Sequence, residues 1–128
     1  MSECSLAGRR ILVLEDEYIV AMLLETELND AGAIVLGPLG KLENAIDLIK
    51  SGEPIDAAIL DLNIRGELSY PAADLLSERG VPFIFTTGYD GSAMPSEYAN
   101  FPRCEKPVSA SKVVLALLRL LTTHPGLN

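Results

Sequence analysis

The sequence predicts an α/β fold: a single doubly wound (βα)5 domain with helices on both sides of a five-stranded parallel sheet. Three observations predict it. Short apolar runs such as Ile11-Leu12-Val13-Leu14, Ala57-Ala58-Ile59-Leu60 and Phe83-Ile84-Phe85 have strand length, and segments with helical apolar spacing alternate with them. Gly and Pro mark the joints, at Gly32, Gly52, Pro54 and Gly66. The 128 residues are 48% hydrophobic and 22% charged, which suits one domain with one core and not a disordered chain.

Residues 1–8 read as a tail, 9–122 as the domain and 123–128 as a second tail. The first strand is about Arg10–Leu14. The first helix runs from Glu17 to about Asp30, with Val20, Leu24, Leu28 and Ala31 on one stripe, and Gly32 stops it. The second strand is Ile34–Gly37. A second helix covers about Leu42–Ser51, with Ala45, Ile46, Leu48 and Ile49 on its buried side. Ala57–Leu60 is the third strand, and Asn63–Ser69 a loop around Gly66. The third helix is about Pro71–Glu78, its proline suited to a first turn. Val81–Thr86 is the fourth strand. Gly88–Pro102 contains Gly88, Gly91, Pro95 and Pro102, so the fourth helix is expected to be short or mobile. A short fifth strand near Arg103–Glu105 precedes a last helix over about Ala110–Thr122, N-capped by Ser109. That helix is apolar on more than one face. Its second face is either covered by neighbours or open to a partner or a second copy.

The net charge of −8 offers no basic surface for nucleic acid or an anionic membrane. No apolar run reaches the roughly 20 residues that span a bilayer, and Met1-Ser2-Glu3-Cys4 lacks the start of a signal peptide. A cytoplasmic location is the expectation. Cys4 and Cys104 form neither a C-x-x-C pair nor a ligand cluster, and His124 stands alone in the tail.

The chemistry gathers at the carboxyl ends of the strands, where ligands bind on doubly wound sheets. Glu15-Asp16 ends the first strand, Asp61 the third and Thr86-Thr87 the fourth, while Lys106-Pro107 follows the fifth. Asp16 and Asp61 each offer a carboxylate to a hard divalent cation such as Mg²⁺, the backbone carbonyl of Asn63 a third oxygen, and Glu15 a hold on a bound water. Asp61 can attack phosphorus in line, with Lys106 absorbing charge on the equatorial oxygens. The Thr87 hydroxyl and the N–H groups near Asn63 and Gly88 can donate to the product. Each residue alone has an ordinary reading: Asp16 as a helix cap, Glu15 as a solvated acid, Asp61 as a turn residue, Lys106 as a surface charge. Their joint placement is what argues for a site.

The motifs Leu14-Glu15-Asp16-Glu17, Leu60-Asp61-Leu62-Asn63, Phe85-Thr86-Thr87-Gly88-Tyr89 and Lys106-Pro107 resemble those of a response-regulator receiver domain of two-component signalling, over about residues 8–122. The resemblance implies a flavodoxin-like strand order 2-1-3-4-5. It implies Asp61 as phosphoacceptor, Glu15 and Asp16 as metal-binding acids, Thr87 as the switch hydroxyl and Lys106 as the phosphate-contacting lysine. The Thr86-Thr87-Gly88-Tyr89 stretch is also similar to the motif of the "FAT GUY" receivers, which are associated with alphaproteobacterial signalling. One departure stands at Arg103, where many receivers carry an inward-turning Tyr or Phe.

The function implied is a stand-alone response regulator. A histidine kinase or histidine phosphotransfer protein would phosphorylate it in a Mg²⁺-dependent reaction. It would then signal by protein contacts or act as a phosphate sink. It would catalyse its own modification without being a turnover enzyme. The alternative is a non-phosphorylated pseudo-receiver that only binds partners. A flavin or nucleotide enzyme on the same topology lacks support, because Glu15-Asp16-Glu17 stands where a glycine-rich phosphate loop would be needed.

Overall fold

The computed structural model describes residues 6–87, 103–105 and 109–122. In chain order the elements are β1 (Arg10–Leu14), α1 (Tyr18–Asp30), β2 (Ile34–Leu39), α2 (Leu42–Lys50), β3 (Ala57–Asp61), β4 (Asn63–Ile64), β5 (Glu67–Leu68), α3 (Tyr70–Glu78), β6 (Phe83–Thr87), β7 (Arg103–Glu105) and α4 (Ala110–Thr122). The main sheet has the order β2-β1-β3-β6-β7, and every pairing in it is parallel. Counting main-sheet strands only, this is the expected order 2-1-3-4-5. The expected fourth helix falls on residues 88–102, outside the described residues, as do Cys4, Gly88, Tyr89, Lys106, Pro107 and His124.

Strand alternation divides the core in two. Leu12, Leu14, Ala58, Leu60, Phe83 and Phe85 point to the side of α2 and α3, where they meet Ala45, Ile49, Ala73 and Leu76. Ile11, Val13, Ile59 and Ile84 point the other way, onto Leu24 and Leu28 of α1 and Val113 and Leu117 of α4. β3 is buried over its full length, as a central parallel strand covered on both faces should be. Each of the Val, Leu, Ile and Phe side chains among these contributes about 1.5–3 kcal/mol on burial. Tyr70 and Phe83 set their rings edge-on to Phe85, with centroids 5.8 and 5.4 Å away.

Several boundaries differ from the sequence expectation. Leu6 is buried, its N–H bonded to the Ala31 carbonyl, so the packed body reaches back into the expected N-terminal tail. β2 continues to Leu39, not stopping at Gly37, by way of a bulge: Leu12 pairs with Leu36 but Leu14 with Leu39. A Cβ on Gly37, at φ +107°, would sit 2.6 Å from the Leu39 nitrogen. The expected loop 63–69 contains the antiparallel β4–β5 hairpin. On α1 the buried residues are Ala21, Leu24 and Leu28, with Val20 and Ala31 half-buried. The second face of α4 is largely covered, since Ala116, Leu118, Leu120 and Leu121 pack against the core and Leu115 stays exposed. Among the described residues no helix is long and apolar enough to cross a membrane.

Candidate functional site

Three adjacent parallel strands end side by side. The register sets Leu14 beside Leu60 and Asp61 beside Thr86, so the chain leaves β1, β3 and β6 at one level. Glu15, Asp16 and Asp61 come together there, each with a carboxylate oxygen within 4.8 Å of the others.

The local backbone explains how each acid is held. The bulged end of β2 turns the Leu39 carbonyl toward β1, where it accepts the Glu15 N–H at 2.9 Å. Glu15 is 3% exposed, and its Oε2 accepts the Glu17 N–H at 3.0 Å at the start of α1. The ordinary reading of Glu15 as a solvated acid therefore does not apply. Neither does helix capping account for Asp16: Glu17 occupies the N-cap position, and Asp16 Oδ2 instead accepts the N–H of Arg65 at 3.1 Å, 49 residues away. Asp61 is 4% exposed, and its Oδ1 accepts the Asn63 N–H at 3.2 Å.

Asn63 opens the hairpin, and its own Oδ1 accepts the Gly66 N–H at 2.8 Å. Its amide is thus at the site while its side chain closes a turn. Thr87 ends β6 and is buried, with Thr86 before it. Arg103 starts β7 and pairs its backbone with Phe85. Sequence reading missed the Arg65 N–H altogether. The available signal was Gly66, the glycine of a two-residue turn between Asn63-Ile64 and Glu67-Leu68.

Every side-chain donor in the cluster is a carboxylate oxygen, which suits a hard divalent cation of the Mg²⁺ class. Two of the three are nearly fully buried. Like charges packed this closely in a poorly solvated place are costly unless a counter-charge meets them, so the residues present fit such an ion.

Comparison with solved structures gives close matches. The chain is 36% identical to SdrG from Sphingomonas melonis Fr1, over 91% of this chain and 98% of that one, with a TM-score of 0.75. Against the BeF3-activated conformation of SdrG from Pseudomonas melonis Fr1 the identity is 34%, over 88% of this chain and 98% of that one, with a TM-score of 0.66. A response regulator receiver protein from Sinorhizobium medicae WSM419 is 26% identical, over 92% of this chain and 98% of its own, with a TM-score of 0.77. No protein-family model and no curated protein matches the chain.

Proposed function

Since the chain belongs to the receiver domains of response regulators, we propose that it accepts a phosphoryl group on Asp61 in a Mg²⁺-dependent reaction. The donor is a phosphohistidine on a histidine kinase or a phosphotransfer protein, and the output is a changed set of protein contacts. One observation carries this reading: Glu15, Asp16 and Asp61 converge within 4.8 Å at the ends of neighbouring strands.

In the step itself a carboxylate oxygen of Asp61 attacks phosphorus. The P–N bond to the donor imidazole breaks, its electron pair stays on nitrogen, and a P–O bond forms an acyl phosphate. The Asn63 N–H, bonded to Asp61 Oδ1, orients the carboxylate before the donor arrives. Glu15, Asp16, Asp61 and the Asn63 carbonyl would hold the cation, which when bound supplies charge neutralisation for carboxylates and phosphoryl oxygens. In this reading Thr87 donates its hydroxyl to the new phosphoryl group and Lys106 meets it as an ammonium. The reaction ends on the chain itself, so it is a modification and not substrate turnover.

α1 supports a protein donor. Tyr18, Ile19, Met22 and Leu23 are 75%, 69%, 45% and 55% exposed, at helical spacing, on the helix that starts two residues past Asp16. A donor helix laid on this stripe brings its histidine to the acids.

The test is intact-mass analysis after exposure to a small phosphodonor with Mg²⁺, for the native chain and Asp61→Asn. One added phosphoryl group, absent from the variant, is expected. A folded native chain that gains no mass would sink this reading in favour of a pure interaction module. A BeF3 complex offers a second probe, since SdrG adopts a BeF3-activated conformation.

A further inference from the structure

We propose that the β4–β5 hairpin is a positioning device for the cation site, with the Arg65 N–H at its tip holding the Asp16 carboxylate in place for ligation. The inference rests on the metal-dependent reading above and deepens it. The hairpin touches two of the three acids. Its base gives the Asn63 N–H to Asp61 Oδ1 at 3.2 Å, and its tip gives the Arg65 N–H to Asp16 Oδ2 at 3.1 Å. These two N–H groups reach Asp61 and Asp16 from one hairpin.

The conformation that presents the tip is specific. Arg65 has φ +54° and Gly66 φ +87°, the positive pair of a type I′ hairpin turn. A non-glycine residue rarely adopts such a φ, and Arg65 is the one that does so among the described residues. Three contacts over-determine it. Asn63 pairs with Leu68 and Ile64 with Glu67, Asn63 Oδ1 takes the Gly66 N–H, and Ile64 is fully buried beneath the turn. The side chain of Arg65 is exposed, so the main-chain N–H is the functional group. A hydrogen bond from outside the ligand set fixes which way a carboxylate faces and so tunes its metal affinity.

The experiment measures Mg²⁺ dissociation constants by amide NMR titration on the full chain. Three variants are compared with the native protein: Arg65→Asn, Gly66→Ala and Gly66→Val. Arg65→Asn keeps the N–H and suits the turn, so affinity should match the native value or exceed it. The Gly66 variants force a side chain into the positive-φ position, displace the tip and should weaken binding in order of bulk, by about ten-fold for valine. The backbone amide signal of position 65 should move on Mg²⁺ addition in the native chain and in Arg65→Asn, while β1 and α1 amides away from the site report an intact fold.

Weak binding by Arg65→Asn, or native affinity in Gly66→Val with its Arg65 amide displaced, would overturn this inference alone. A native chain that takes up no Mg²⁺ would overturn the functional reading and this inference with it. If Gly66→Val fails to fold, Gly66→Ala still decides, by a measurable drop or by its absence.

Discussion

Thr86 carries a hydroxyl that the fold leaves without employment. Its Oγ1 is fully buried with no hydrogen-bond partner among the described residues, on the strand position lateral to Asp61. A buried hydroxyl without a partner is destabilising. Thr86→Val keeps the shape and deletes the polar atom, so we expect stability to rise by about 1 kcal/mol, read from urea unfolding. Cys104, its neighbour in β7, shows the same environment by another route: burial pushes its thiol pKa up. Little thiolate then exists near neutral pH, which fits a packing residue and not a reactive one. Glu15 and Asp61, by contrast, are buried with their carboxylates gathered beside one another and Asp16.

The elements differ in how openly the sequence announced them. Helix α1 is the one whose solvent face carries function in our reading, and Ile19→Asp tests it. Phosphoryl transfer from a protein donor should slow by ten-fold or more, while labelling by a small phosphodonor stays unchanged. Stability should shift by less than about 0.5 kcal/mol, since Ile19 is exposed. Equal slowing with both donors would argue against the docking role. That exposed stripe was not legible beforehand, because Tyr18, Ile19, Met22 and Leu23 are as apolar as the residues that face inward, and the buried side uses the small Ala21. β1, β3 and β6 were legible because each is an apolar run broken by a carboxylate or hydroxyl pair, and the same break marked the site. The hairpin was hidden because Arg65-Gly66 lacks the Asn or Asp that usually announces a type I′ turn, and hydrogen bonds donated by the turn's own N–H groups to the side chains of Asn63 and Asp16 hold it instead. The end of β2 was hidden because Gly37-Pro38 looks like a stop, whereas here it is a bulge that carries the strand on to Leu39 and sets the Glu15 amide. Ser109 does stand at the N-cap position, with its carbonyl accepting the Val113 N–H, but its hydroxyl meets Ser111 Oγ.

Across the whole molecule, stability and the proposed chemistry are coupled through charge. The chain carries a net −8, and three of its acids are pressed together. Removing one carboxylate with Asp61→Asn should raise the melting temperature in EDTA by relieving repulsion. Mg²⁺ at about 100 times its dissociation constant should stabilise the native chain by about 2.7 kcal/mol and the variant by clearly less. Thermal melts with and without the cation check both signs, and a native melting point indifferent to Mg²⁺ would contradict the linkage. The opposite end of the sheet is held differently. Arg10 donates to the Pro54 carbonyl and pairs with Glu53, its N–H reaches Asp56, and Arg79 donates to the carbonyls of Ile49 and Glu53. These ties join the first residue of β1, the carboxyl ends of α2 and α3 and the approach to β3, one cation resting on the negative pole of α2. A dye, bead or fusion partner therefore belongs at that pole. Cargo hung on exposed Ser77 rides on the lashed-down side of the molecule and leaves the acidic mouth clear for whatever arrives to charge it.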